Sequence, residues 1–241
     1  MVHEELYVCP QPLDTDSKVW RYLDFSKLIN GVSRESLFLS RADLLGDLHE
    51  GSITRIDYEL RNQIFPEGLG KEGLEMLQDI NKNALKNIYV NCWRLDNSES
   101  EAMWKLYCPN NKGVAIQTTY RKLSASVSNI ERLYIGTVTY LDYRTQNMPR
   151  RFNALRPIMH KRKAFEHEKE VRIVKVEGSI MNSSETPKGI EIKWDFSKAV
   201  ENVYVNPYAP EWYYETVVDV LKKYKVALTP IWSDIKNDPI Y

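Results

Sequence analysis

The sequence predicts an α+β fold, a single domain built on a curved, mixed but mainly antiparallel sheet with flanking helices. Three observations carry that expectation. Runs of strand composition alternate with helical stripes along all 241 residues, without an internal repeat or a break in composition. Hydrophobic residues make up 43% of the chain against only 10 Gly and 11 Pro, which suits a filled core and excludes fibrous and wholly disordered classes. Lys+Arg and Asp+Glu both total 33, so no global field favours nucleic acid, a membrane surface or an acidic partner, and any binding preference is local. The expected domain spans 1–241, with its core at about 15–235.

The elements follow in order. Val19 to Leu23 reads as a strand, Asp24 to Asn30 as a short helix, and Ser36 to Ser40 as a second strand. Asp24 is a plausible N-cap, Leu28 and Ile29 supply an apolar face, and Asn30-Gly31 is a helix stop. Arg41 to Ser52 is a polar connection placed to lie over a site. Leu74, Leu77, Ile80, Ala84 and Ile88 form a one-sided helical stripe, which is a core signature. Asn87 to Arg94 reads as a buried strand, and Ser98 with Glu101 resembles a capping box opening a helix to Tyr107. Met103 and Trp104 on that helix are expected in the core.

Gly113 to Thr119 has strand composition. In Arg132 to Asp142, Leu133 and Ile135 have one parity and Val138 and Tyr140 the other, which predicts a bulge near Gly136. Phe152 to Phe165 reads as a basic amphipathic helix interrupted by Pro157, and Glu170 to Val176 as a strand. Gly178 to Gly189 reads as an exposed loop, Ile190 to Trp194 and Val203 to Val205 as strands, and Pro210 as the start of a helix carrying Tyr213, Val217, Leu221 and Tyr224.

The opening Met1-Val2-His3-Glu4-Glu5 has no basic segment followed by an apolar one, and no stretch is long and apolar enough to span a bilayer, so a cytoplasmic protein without membrane attachment is expected. Cys9, Cys92 and Cys108 are widely spaced and odd in number, the pattern of reduced structural thiols. The four histidines, His3, His49, His160 and His167, have no ligand spacing, so no metal is expected. Gly-rich nucleotide loops, Gly-x-Ser-x-Gly and His-Glu-x-x-His are all missing from the sequence.

Chemistry concentrates in Phe165-Glu166-His167-Glu168-Lys169-Glu170-Val171-Arg172-Ile173, where acidic residues run into a β-branched segment. On a strand, Glu168 and Glu170 share one face about 7 Å apart, where two carboxylates can steady a developing positive charge and accept a proton. The plainer reading is a solvated turn laced with Lys–Glu pairs. Other candidates are Arg21 and Tyr22 on the first strand, Ser40 and Arg41 at the end of the second, and the basic run Arg150, Arg151, Arg156, His160, Lys161, Arg162 and Lys163. Arg21 also fits a structural ion pair, and the basic run a solvated helix face.

Several strings stand together in a suggestive order: Trp20-Arg21-Tyr22, then Leu37 to Asp47, Ala102 to Tyr107, Gly113 to Ile116 and Phe165 to Ile173. In that order the chain resembles, from Trp20 to Tyr224, a bacterial domain-of-unknown-function family associated with phage defence. The motif order is in turn similar to that of the ADP-ribosyltransferase superfamily: a basic or aromatic residue on a first strand, Ser or Tyr on a second, and Glu-x-Glu entering a later one. The resemblance implies an ADP-ribosyltransferase-like fold with NAD as substrate and an unidentified protein or nucleic-acid acceptor, in a phage-defence effector. It implies catalytic roles for Glu170, Glu168 and Ser40, and cofactor contacts for Arg21, Tyr22 and Arg41. Trp20-Arg21-Tyr22 leaves the first-strand residue open between Arg21 and Tyr22, and Arg41 stands after Ser40 where the pattern has a small polar residue. A NAD glycohydrolase of the same fold, using water as acceptor, is the enzyme alternative. A non-catalytic binding or regulatory protein, docking through Trp104 and the Arg150 to Lys163 run, is the alternative from another class.

Overall fold

The computed structural model describes residues 9–60, 70–148, 155–178 and 186–237. It is α+β, with a mixed, mainly antiparallel set of strands and several helices. The chain forms two compact units, the first from Met1–Gln11, Leu39–Asn91 and Glu131–Ile190, the second from Pro12–Phe38, Cys92–Ile130 and Glu191–Tyr241. Strands β2 (Ser36–Arg41), β3 (Ile88–Leu95) and β9 (Gly189–Lys193) each begin in one unit and end in the other.

In the second unit, β1 (Lys18–Asp24) pairs antiparallel with β4 (Gly113–Thr119) over seven residue pairs, from Lys18↔Thr119 to Asp24↔Gly113. β10 (Asn202–Val205) continues from β4 and carries the parallel two-residue β11 (Ile231–Trp232). The ladder between β1 and β3 is far shorter, comprising Val19↔Leu95 and Trp20↔Arg94. Helix α1 (Phe25–Arg34) is capped as expected, the Asp24 side chain accepting from Lys27 N–H. It does not stop at Asn30-Gly31: Val32 repeats the buried face one turn after Leu28, and that packing offsets the roughly 1 kcal/mol cost of a helical glycine. The stop is Glu35, in the left-handed conformation at φ 48°.

The first unit holds α2 (Arg55–Glu59) and α3 (Gly70–Leu85), the latter ending where β3 begins at Ile88. The helical stripe thus serves two elements, with Ala84 buried on the helix and Ile88 buried on the strand. β5 (Leu133–Thr137) pairs antiparallel with β8 (Glu170–Val176), and β8 also pairs with β3. The expected bulge at Gly136 is a change of partner instead. After Thr137 the chain leaves β8, Val138 donates to the Glu170 carbonyl at 2.9 Å, and β6 (Thr139–Leu141) runs parallel to β7 (His160–Arg162). Gly136 is required by a close approach: a Cβ there would lie 2.7 Å from the Cys9 carbonyl carbon and 2.8 Å from the Pro10 carbonyl oxygen.

The amphipathic helix expected over Phe152 to Phe165 does not form in the described part. Pro157 opens a single 3-10 turn, Pro157–Met159, then come β7 and a second 3-10 segment, Lys163–Glu168. Of its described basic residues, Arg156, Lys161 and Arg162 have acidic partners and His160 is buried, which a solvated helix face would not supply. Arg150, Arg151 and Phe152 lie outside the described residues, as does most of the Gly178 to Gly189 connection.

Two further helices of the second unit follow the sequence closely. α4 (Glu101–Tyr107) buries Met103 and Trp104, although its cap is Ser100, accepting from Met103 N–H, and not Ser98. α5 (Tyr120–Val127) and α6 (Phe196–Ala199) precede α7 (Glu211–Lys223), which follows Pro210 and buries Tyr213, Val217 and Leu221. No disulfide joins Cys9, Cys92 and Cys108. Among the described residues, no helix is long and apolar enough to cross a membrane.

Candidate functional site

The densest chemistry lies within the first unit, on β6, β7 and β8. β8 is a β-branched strand that also carries Glu170 and Arg172, two residues apart and so on one face. Glu168 is not on that strand. It ends the preceding 3-10 segment, and Lys169 breaks the extended run by adopting the left-handed conformation at φ 44°, ψ 52°. That kink, rather than strand alternation, brings the two carboxylates together. Both converge on the Lys161 ammonium of β7, at 2.6 Å to Glu168 and 2.5 Å to Glu170. The second Glu170 oxygen accepts from Arg172 Nε at 2.6 Å.

Arg172 is fully buried, and its Nε, Nη1 and Nη2 all donate. Nη1 donates to a Glu50 oxygen and to the Ile158 carbonyl at 2.5 Å, while Nη2 reaches the other Glu50 oxygen at 3.1 Å. Glu50 comes from the polar connection after β2, and Asp47 of the same segment takes Arg162 at 2.6 Å. Tyr140, opposite Lys161 in the β6–β7 ladder, accepts the Glu170 N–H on its hydroxyl at 2.8 Å. Phe165 places its ring 4.7 Å from the Lys161 amine.

The electrostatics follow from a count. Three buried carboxylates, Glu50, Glu168 and Glu170, face two buried cations, Lys161 and Arg172, so one carboxylate is in surplus. A buried surplus charge is costly unless a proton neutralises it. For Glu170, burial pushes the pKa up, but the charge and hydrogen bond of Arg172, with help from Glu168 and Lys161, outweigh it and hold the carboxyl well below the usual range. For Glu168, burial and then the hydrogen bond with Glu170 prevail over Lys161 and raise the pKa to about 7. Lys161 is raised because Glu170 and Glu168 outweigh burial. Two adjacent carboxylates with proton affinities pushed apart are the arrangement that assigns one ionised role and one proton-exchanging role.

The remaining sequence candidates have these places. Ser40 stands half-buried on β2 opposite Val90. The Arg41 guanidinium is held by Asp43 at 2.7 and 3.1 Å and by the Thr186 carbonyl at 2.7 Å. Arg21 and Tyr22 belong to the second unit. The Tyr22 hydroxyl accepts the Ser100 N–H at 2.8 Å and its ring meets the edge of Trp104, 5.0 Å between centroids, so it serves the aromatic core. Arg21 makes no ion pair among the described residues, and burial lowers its pKa to about 10. Arg156 and His160 of the basic run are engaged, Arg156 with Asp57 at 3.5 Å and His160 Nδ1 with the Arg156 carbonyl at 2.6 Å. Arg172, Glu50 and Tyr140 are not singled out as site residues by the sequence, and Lys161 stands there only as one member of the basic run. The readable signal was Arg172, a charge inside the run Val171-Arg172-Ile173-Val174 at strand spacing from Glu170.

Fold and site together define an α+β protein with a buried carboxylate pair on a lysine, braced by an arginine. Residues 103–173 match a family described as "Protein of unknown function (DUF2971)", a stretch that contains Lys161, Glu168, Glu170 and Arg172. No curated protein and no solved structure matches the chain.

Proposed function

We propose that the protein is an NAD-consuming, ADP-ribosyltransferase-like enzyme that transfers ADP-ribose to a protein or nucleic-acid acceptor, with Glu168 and Glu170 as its chemical centre. The observation that carries this reading is the convergence of two buried carboxylates on the Lys161 ammonium, at 2.6 Å to Glu168 and 2.5 Å to Glu170, where Arg172 holds the proton affinity of Glu170 down and burial pushes that of Glu168 up. When the bond from the ribose C1′ to nicotinamide breaks, the ring nitrogen takes the electron pair and neutral nicotinamide leaves. Positive charge develops on C1′ and the ring oxygen. A fixed carboxylate beside it stabilises that state, which is the role of Glu170. The acceptor hydroxyl then bonds to C1′ and its proton passes to ionised Glu168. Ser40 positions the nicotinamide end in the same scheme.

One observation favours a second reading, a non-catalytic binding protein in which the cluster only anchors the fold. Glu170 is 5% exposed and Glu168 7%, and both Glu170 oxygens already accept hydrogen bonds. Incubation of the purified protein with NAD, alone and with cell lysate, separates the two when nicotinamide release is followed for wild type and Glu170→Gln. The enzyme reading expects release that falls about a hundredfold or more in the variant. No release from folded wild type, with no NAD binding by calorimetry, leaves the anchoring reading standing.

A further inference from the structure

The second unit holds a cavity of about 260 Å³ between the C-terminal end of α4 and the turn after β10. Its lining divides by burial: Trp104, Cys108 and Asn206 are buried and form the floor, whereas Lys105, Pro109 and Tyr208 are exposed and form the mouth. Asn206 is 1% exposed, and its Oδ1 accepts the Tyr208 N–H at 2.9 Å, which fixes the orientation of the amide. Its Nδ2 has no hydrogen-bond partner among the described residues. A buried donor without an acceptor is costly, and on a residue that lines a cavity the acceptor can come from a ligand. The polar groups of the mouth satisfy one another instead. Glu101 takes the Lys105 amine at 2.7 Å and the Tyr208 hydroxyl at 2.7 Å, so one cation and one carboxylate cancel and no net charge draws an ion. Cys108 donates to the Leu23 carbonyl at 3.5 Å, and burial pushes its thiol up to about 12, so it stays protonated and is no nucleophile. What the cavity lacks is one acceptor oxygen. A cavity of about 150 Å³ already holds benzene, so this one has room for a ring and a carbonyl group.

We infer that this cavity is a noncovalent binding site for a small uncharged molecule with an apolar body and a carbonyl oxygen, the oxygen accepting from Asn206 Nδ2 and the body lying between Pro109 and Tyr208. Every lining residue belongs to the second unit, so the inference does not depend on the reading of Glu168 and Glu170. Asn206→Asp isolates the contact: it keeps Oδ1 for the Tyr208 N–H and puts an oxygen where the donor stood.

The test titrates the full chain with three ring compounds, acetophenone (an uncharged acceptor), benzoate (a charged acceptor) and benzylamine (a cation without an acceptor), and follows the Asn206 side-chain NH2 and Trp104 indole signals by NMR. Acetophenone is expected to move both signals in wild type and to bind more tightly than the other two. Asn206→Asp, checked for folding by thermal unfolding, is expected to weaken acetophenone about three- to tenfold, the range of a neutral hydrogen bond, and to bind benzylamine better than wild type does. Equal affinity for the three compounds, or unchanged acetophenone binding in the folded variant, makes the cavity an unselective apolar cleft and overturns the inference. Tighter binding of benzoate overturns the uncharged class. No movement of the Asn206 signal up to the solubility limit of acetophenone leaves the amide to a buried water, and also overturns it. If Asn206→Asp does not fold, wild type decides: movement of the Asn206 signal by acetophenone and not by benzylamine supports the site, and movement by both or by neither overturns it.

Discussion

In the first unit Lys161, Glu168, Glu170, Arg172 and Glu50 are buried as charged and polar groups; in the second, Trp20, Tyr22, Met103, Trp104, Cys108 and Ala115 are buried as an aromatic and apolar cluster. The two regions fill space with side chains of similar bulk and hold them by different physics. The aromatic cluster draws on area removed from water and on ring geometry, with Tyr22 edge-on to Trp104 and Trp20 tilted on Tyr204 at 4.8 Å. The charged cluster gains little over an apolar replacement, because desolvation offsets much of its Coulomb energy. A region that keeps five ionisable groups where apolar ones would serve stability equally well is where chemistry is to be sought. The aromatic region gives no such reason, and its Tyr22 and Trp104 are accounted for by packing and by the hydrogen bonds to Ser100 and Glu99.

The comparison breaks most visibly under partner removal. Arg172→Met leaves Glu170 and Glu50 buried without their shared cation, and is expected to cost about 3–5 kcal/mol in urea unfolding. A loss below about 1 kcal/mol would show that the cluster is solvated. Trp104→Ala in the second unit is expected to cost a comparable 3–5 kcal/mol, through transfer and cavity terms, but equally at pH 5 and pH 8. A marked pH dependence of that loss would mean that the aromatic region is coupled to titrating groups.

Next in size is the pH dependence of stability itself. Glu168 has its folded pKa raised from 4.5 to about 7. The folded state therefore binds this proton more tightly, and the resulting stabilisation is fully present below about pH 4.5 and lost as the pH rises through about 7. Glu170 has the opposite sign: its depressed pKa stabilises above the unfolded value of 4.5 and is lost as the pH falls below it. Wild type should lose on the order of 2–3 kcal/mol between pH 5 and 8 from Glu168, and Glu168→Gln should remove that slope. An unchanged slope in the variant would assign the titration to another group. The smallest effect is at the α4 cap, where Ser100→Ala should cost about 1 kcal/mol by denaturant midpoint with no change in the first unit's pH profile.

The legible and illegible parts of the sequence divide along the same line. β4 and α7 were readable because their signals are local: β-branched composition over Gly113–Thr119, and apolar positions at helical spacing after Pro210. Trp104 was readable as core for the same reason. The charged centre was readable only in part. Glu168 and Glu170 stand out, but the geometry joining them depends on a single left-handed residue, Lys169, which no periodicity announces. Glu50 lies in a polar connection and meets Arg172 122 residues away, and Asp47 meets Arg162 at a separation of 115. Arg162, whose counter-ion is that remote, looks solvated in sequence, and Lys161 beside it reads as helix face because no periodicity announces the 3-10 segment and kink that return Glu168 and Glu170 to it from 7 and 9 residues on. Gly136 shows the same limit. Its requirement comes from the Cys9–Pro10 backbone across the fold and not from its own neighbours.

The most direct test of the central claim is the pH profile of nicotinamide release from NAD by wild type, Glu168→Gln and Glu170→Gln, each checked for folding. In the proposed mechanism an acceptor's proton goes to ionised Glu168, so wild-type turnover is expected to rise as the pH climbs through about 7, with Glu168→Gln low and flat and Glu170→Gln reduced about a hundredfold or more throughout. Folded wild type that releases no nicotinamide at any pH, or releases it with both variants unchanged, contradicts the account.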